Sequence, residues 1–312
     1  MPFDRRANSK PLEVTVLANL PVQNGQLGPA LAARYWDEGF LFPIEVLTPA
    51  EAAAFRAELE RIERDWLDAD LPLPLNTYKR VNAHVVMPMA ARLATHPTVL
   101  DAVEGILGPD ILVYSAEFFI KEPRTDQIVT MHQDLTYWGL GATDGLVTAW
   151  IALSPSTPAS GCMNFARGSH KNAILAHDDT FDANNLLSRG QEVRADVAAK
   201  ERVAIEIHPG QMSLHHGLTI HGSGPNTSDD RRIALVVRYC RPDVAQEVGD
   251  TDYALPARGA DTLGNFIHVP VPTGNFSRDA LALYEDIRQA QAKVMMRGTA
   301  SGGAGNIYGK AS

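Results

Sequence analysis

The stretch from residue 111 to residue 240 narrows the possible folds more than any other part of the chain. It contains "ILVYSAEFFIK", "IVTMHQDL", "LVTAWIAL", "CMNFARGS", "VAIEIHPG", "QMSLHHG" and "IALVVRYC", each short and rich in β-branched or aromatic residues. Gly, Pro, Ser, Asn and Asp separate them. Runs of this length suit strands, and the breakers between them suit turns. Repeated this way they predict a β-sandwich or barrel, architectures that leave few strand edges unpaired.

Helical signals flank this stretch. "GPALAARYWDEGF" (28–40) predicts a short helix, and "FLFPIEVL" predicts a strand after it. Thr48 can cap the next helix, Pro49 suits its first position, and Glu51 completes a capping box. Ala54, Leu59, Ile62 and Trp66 then share one face. A second helical region covers about 88–107 and stops at Gly108-Pro109. Residues 1–27 read as loosely ordered, and the tail "GTASGGAGNIYG" is Gly-rich. The expected architecture is one domain over 1–312, mainly β with flanking helices. Its parts are a helical N-terminal region (about 28–108), a β-core (about 110–241) and a C-terminal helix (about 277–297).

Composition narrows the partners. An apolar fraction of 45% and a charged fraction of 21% are those of a soluble globular protein. The net charge of −9 and the lack of any Lys/Arg cluster argue against nucleic acid. No run approaches 18 apolar residues, so no membrane span is expected. The polar N-terminus lacks the apolar core of a signal peptide, and two cysteines make no disulfide framework. A reducing, cytoplasmic setting and a small-molecule partner are expected. The sequence leaves the oligomeric state open.

"MHQDLTYWGL" (131–140) poses the chemical question: are His132 and Asp134 metal ligands, or two polar loop residues? On a strand, residues i and i+2 point the same way. The pair reaches one ion if 128–134 ends as a strand, with Gln133 turned aside. Two histidines and a carboxylate on one face of Fe(II) leave positions open for cosubstrate and oxygen. His-x-Asp alone is a weak signal, and the third ligand must come from a distant strand. Most of the other histidines, His215 among them, read as surface or satisfied core residues. His221 stands out by context, "HGSGPNTSDDRRIALVVRY". A turn follows it, and Arg232 opens the next strand. If the flanking strands are antiparallel neighbours, His221 and Arg232 face one pocket. A dicarboxylate can then chelate the metal at one end and meet the planar fork of Arg232 at the other.

Together, His132-Gln133-Asp134, "TAWIALSPSTPASGCMNFARGSHK" and "HGSGPN…RRIALVVRY" resemble the phytanoyl-CoA dioxygenase family of Fe(II)- and 2-oxoglutarate-dependent oxygenases. The likeness begins at "RYWDEGFLFPIEVLTPAEAAAFRAELE" and ends near Arg241. It implies a double-stranded β-helix, a cupin-like jelly-roll with the metal between its sheets. It implies iron on His132, Asp134 and His221, the far carboxylate of 2-oxoglutarate on Arg232, and O2 as oxidant. The implied reaction hydroxylates an unactivated C–H bond and releases succinate and CO2. Related halogenases carry a small residue where Asp134 stands, so hydroxylation is favoured here. Desaturation or epoxidation is the alternative chemistry.

The resemblance also implies a cosubstrate hydroxyl at Ser223. Thr148 and Trp150, on one face of their strand, would wall the same pocket. A turn serine and a core tryptophan are the plain alternatives. Tyr137 and Trp138 are expected on the substrate side and Arg238 at the pocket mouth. Tyr78, Lys79, Arg80 and Asn82 read as a loop that serves as a lid. Each of these also has an ordinary surface reading. Lys121 could approach the same pocket, with an exposed lysine as the plainer reading, and Arg231, His170, His216 and Asn226 read as structural or solvated. The expected substrate is a compact polar or natural-product-like molecule. Two rivals keep the ligand set: a non-catalytic metal-binding β-helix module or sensor, and a zinc hydrolase. Both leave Arg232 without a task.

Overall fold

The computed structural model describes residues 27–295 apart from 183, 188, 195–200 and 251. The readings of residues 1–26, of 296–297 and of the Gly-rich tail lie outside the described residues. The helical region holds α1 (Pro29–Glu38), β1 (Phe40–Glu45), α2 (Pro49–Trp66), α3 (Leu75–Arg80), α4 (Ala83–Val86), α5 (Pro88–Ala94) and α6 (Pro97–Leu107). The strands β2 (Ile111–Lys121), β3 (Val129–His132), β4 (Leu146–Ala152) and β5 (Met163–Ala166) follow. Then come β6 (His177–Asp179), β7 (Gln191–Val193), β8 (Arg202–Ala204) and β9 (Gln211–His216). The last elements are β10 (His221–Ser223), β11 (Arg232–Cys240), β12 (Tyr253–Arg258), β13 (Ile267–His268) and α7 (Arg278–Met295).

Seven strands form one sheet in the order β1-β9-β4-β11-β2-β12-β13, and four form a second, β3-β10-β5-β8. β6 and β7 pair separately. This is the two-sheet β architecture expected from the strand pattern, in the jelly-roll form that the resemblance implies. Alternation along β11 shows how the larger sheet is used. Ile233, Leu235, Val237 and Tyr239 join the hydrophobic core shared with the helices, while Ala234 and Val236 join the core between the sheets. Arg232 and Arg238 have the parity of that inner face. The capping box of α2 is formed: Thr48 Oγ1 accepts from the Glu51 N–H at 3.2 Å, and Glu51 accepts from the Thr48 N–H at 2.8 Å. Gly39, at φ +89°, ends α1 in the left-handed conformation that glycine adopts without strain.

Three expectations need correction. The helical region 88–107 is two helices, because Pro97 opens α6 and holds His96 extended. The segment around Tyr78 to Asn82 is not a loop but α3 and the start of α4. Tyr78 is core there, its ring 4.8 Å from Tyr284. Finally, His221 and Arg232 do not lie on hydrogen-bonded neighbours. β10 belongs to the four-stranded sheet and β11 to the seven-stranded one. His221 also opens its strand rather than leaving it. The intervening turn crosses between sheets, and Asn226 braces it by donating to the carbonyls of Lys121, Glu122 and Asp230. Among the described residues no helix is long and apolar enough to cross a membrane.

Candidate metal centre

β3 and β10 run antiparallel with His132 opposite His221. Both rings are anchored alike. Nδ1 of His132 lies 2.9 Å from the Thr130 carbonyl, and Nδ1 of His221 lies 2.9 Å from the Thr219 carbonyl. A carbonyl only accepts, so the proton sits on Nδ1 and Nε2 keeps a lone pair for a metal. The two Nε2 atoms lie 3.5 and 4.0 Å from Asp134 Oδ1. One ligand atom from each of the three buried residues lies within 4.8 Å of the others. Ligands about 2.1 Å from a shared ion have separations of this order.

The strand expected to carry both His132 and Asp134 stops at His132, and Asp134 opens a 3-10 turn. Gln133 is still extended, so the alternation persists one residue past the ladder. Its side chain turns aside as expected, donating to the Leu218 carbonyl at 2.9 Å and accepting from the Leu175 N–H at 2.8 Å. Burial alone would raise the Asp134 pKa. The contacts from His132, His215 and His221 outweigh it and hold the carboxylate well below its usual range. Burial, reinforced by His132 and His215, pushes the His221 imidazole well below its usual value. An ionised Asp134 carboxylate beside a neutral His221 imidazole suits a divalent metal.

The three residues line a cavity of about 420 Å³ together with Trp150, Ser223 and Arg232. Arg232 projects from the opposite sheet and is 1% exposed. One Nη donates to the Gly161 carbonyl, presented by a turn in which Gly161 has φ +71°. Its Nε is buried with no partner, and its guanidinium carbon lies 5.3 Å from the Trp150 ring centre. No carboxylate pairs with it among the described residues. Lys121, expected at the surface, is instead 0% exposed and directly opposite Arg232 across β2 and β11. Its Nζ donates to Ser223 Oγ at 2.8 Å and to the Gly224 carbonyl. Burial, with Arg232 adding to it, pulls the Lys121 pKa down to about 6. Burial likewise lowers Arg232 to about 10, which leaves it cationic at neutral pH. A buried guanidinium without an acidic partner among the described residues is arranged to receive an anion.

The remaining expected residues scatter. Thr148 is buried and donates to Asp134 Oδ2 at 2.9 Å, so it stands behind a ligand. Trp150 and Ser223 line the cavity. Tyr137 turns elsewhere: its hydroxyl donates to Asp179 at 3.2 Å and its ring stacks under Arg189. Arg238 is not at a mouth but on a wall, paired with Glu117 and with its guanidinium carbon 5.1 Å from the Trp138 ring centre. Arg231 binds Glu63 on α2, His170 meets the Trp36 carbonyl, and His216 meets Asp144. His215 was missed. It is buried, its Nε2 is 3.5 Å from Asp134 Oδ2, and neither ring nitrogen has a hydrogen-bond partner. Cross-strand register explains its place: Arg238, Thr148 and His215 form one row across the larger sheet.

Comparison with known proteins bears on this site. The sequence profile of phytanoyl-CoA dioxygenase (PhyH) matches residues 35–234, a span that includes His132, Asp134, His221 and Arg232. The peroxisomal phytanoyl-CoA dioxygenase of Homo sapiens is 25% identical over 226 residues, covering 67% of this chain and 67% of that protein. A probable phytanoyl-CoA dioxygenase of Caenorhabditis elegans is 26% identical over 167 residues, 52% of this chain and 54% of that one. The chain thus spans about half to two thirds of the length of these curated relatives. Among solved structures, the apo form of the non-heme monooxygenase ThoJ superposes with a TM-score of 0.77 at 34% identity, covering 85% of this chain and 97% of that one. A profile that fits most of the chain, over a fold shared almost end to end with a non-heme oxygenase, identifies this protein as a member of the phytanoyl-CoA dioxygenase family.

Proposed function

We propose that this chain is an Fe(II)- and 2-oxoglutarate-dependent dioxygenase that hydroxylates a C–H bond of a small molecule, with release of succinate and CO2. One observation carries the reading. A His132–Asp134–His221 cluster and the Arg232 guanidinium face one cavity from opposite sheets. The donor set fits iron, because both Nε2 lone pairs and an ionised carboxylate converge from one side. When bound, iron with 2-oxoglutarate and O2 supplies the oxidising power that no side chain has.

The residues of the chain do the positioning. His132, Asp134 and His221 hold the metal on one face. Thr148 fixes one carboxylate oxygen of Asp134 by donating to it, which limits how that ligand rotates. Arg232 receives the far carboxylate of the cosubstrate, with Ser223 Oγ held beside it by Lys121. Trp150 closes the wall under the guanidinium and keeps water from the ion pair. A metal sensor or a zinc hydrolase uses the same three ligands but gives the buried Arg232 guanidinium nothing to bind.

The test combines binding and turnover. Anaerobic Fe(II) protein is titrated with 2-oxoglutarate for a visible charge-transfer band. Oxygen uptake and succinate are then measured in air. The wild type is expected to show all three signals, and His132→Ala and Asp134→Ala to lose succinate formation. Full succinate formation in either variant, or a wild type with no 2-oxoglutarate-dependent band, refutes the assignment.

A further inference from the structure

A second cavity, of about 600 Å³, lies against the first, and Arg238 borders both. Its walls come from β2, the α3–α4 junction, Trp138 and α7. The charges on these walls are unevenly matched. Arg238 is paired with Glu117. Asp252 accepts from the Gln246 amide at 2.8 Å and from the Tyr253 N–H at 2.9 Å. Arg80 has no acidic partner among the described residues. Its one hydrogen bond there runs from Nη2 to the Leu186 carbonyl at 2.6 Å, and its Nε is buried without a partner. Its guanidinium carbon lies 4.8 Å from the ring centre of Phe119, and Phe119 lines the metal cavity. Arg80 therefore lines the second cavity while stacking on a residue of the first, and among the described residues it spends only one hydrogen bond. Burial lowers its pKa to about 10, so it is charged at neutral pH.

A partly buried guanidinium without a counter-charge favours an anion, and its fork geometry favours a carboxylate. Glu117 and Asp252 line the same cavity and repel a dianion such as a phosphate monoester. We propose that this second cavity is the substrate site and that the substrate is a small monocarboxylate. Its carboxylate is held by Arg80, while its oxidisable carbon reaches past Arg238 toward the metal. This rests on the reading of the first cavity as the catalytic one.

The test uses matched probes on the full chain loaded with Zn(II) and saturated with 2-oxoglutarate. The pairs are 3-phenylpropanoate with 3-phenylpropanamide, cyclohexanecarboxylate with its amide, and N-acetyltyrosine with its amide; phenyl phosphate is added alone. Ligand-observed NMR gives affinities for wild type, Arg80→Gln and Arg80→Lys. The acids are expected to bind about 10-fold or more tightly than the amides and than phenyl phosphate. Arg80→Gln is expected to bring the acids to the amide level, and Arg80→Lys to keep part of the preference. Affinity for 2-oxoglutarate should stay unchanged in both variants. A wild type that binds neither class, binds both alike, or prefers phenyl phosphate overturns the proposal, as does an Arg80→Gln protein that weakens acids and amides equally. Failure of the catalytic reading looks different: an intact acid preference with no 2-oxoglutarate-dependent succinate from the iron-loaded protein.

Discussion

Replacing Arg232 by alanine tests the cosubstrate anchor directly. Charge-assisted hydrogen bonds contribute about 1.5–3 kcal/mol, and truncating one partner of a buried charge pair costs about 2–5 kcal/mol. Arg232 is 1% exposed, so solvent screening dilutes little of this. Two features pull the cost toward the lower end. Lys121 sits opposite and keeps a hydrogen-bond donor beside Ser223, and the metal end of 2-oxoglutarate is untouched. A loss of about 2–3 kcal/mol follows, which is about 30- to 150-fold in Kd. The assay is an anaerobic titration of Fe(II) protein, read from the charge-transfer absorbance. Arg232→Lys should recover part of the loss. A melting temperature controls for the Gly161 carbonyl, which loses its donor. An unchanged Kd in a folded Arg232→Ala protein refutes the role, as does lost turnover at saturating 2-oxoglutarate with affinity intact.

Other outcomes follow from the same geometry. Thr148→Val keeps the shape but deletes the hydrogen bond to Asp134. Iron affinity should fall about 10-fold or more by competition dialysis, with little change in melting temperature. Lys121 bears on stability. Its folded pKa of about 6 lies below the value of about 10.4 for an unfolded lysine. Between these values the unfolded chain binds a proton that the folded chain has released, so stability of the metal-free protein should rise with pH across that window. Urea melts between pH 6.5 and 9.5 should show the slope in wild type and a flatter one in Lys121→Met; parallel slopes remove Lys121 from the account. Thr48→Ala should destabilise the protein by about 1 kcal/mol in the same melts, because it breaks the capping box of α2.

Much of this was legible in the chain, for identifiable reasons. A β-sandwich or barrel follows from short β-branched runs, and the start of α2 from Thr48, Pro49 and Glu51, because these signals are local; the jelly-roll itself came from the family resemblance. His132, Asp134 and His221 could be grouped because the context of His221 and the family resemblance supplied what His-x-Asp alone, a weak signal, does not. Lys121, His215 and Arg80 could not. Lys121 looks like an ordinary strand-end lysine until the register places it opposite Arg232. His215 needs the β4–β9 register to bring it into line with Thr148. Arg80 needs a helix where its polar neighbours suggested a loop. Tyr137 shows the opposite failure: adjacency to a ligand in sequence did not put it in the cavity, because the turn at Asp134 rotates it toward Asp179.

The crossing of the 224–231 turn from one sheet to the other makes the fold a caliper. His132 and His221 stand on one jaw, Arg232 and Lys121 on the other. Packed sheets keep a separation of about 10 Å, fixed by the side chains wedged between them. If Arg232 anchors the cosubstrate, the spacing of the sheets rather than a mobile loop governs the length of diacid that fits. Keto-diacids one carbon shorter or longer than 2-oxoglutarate are then expected to bind more weakly.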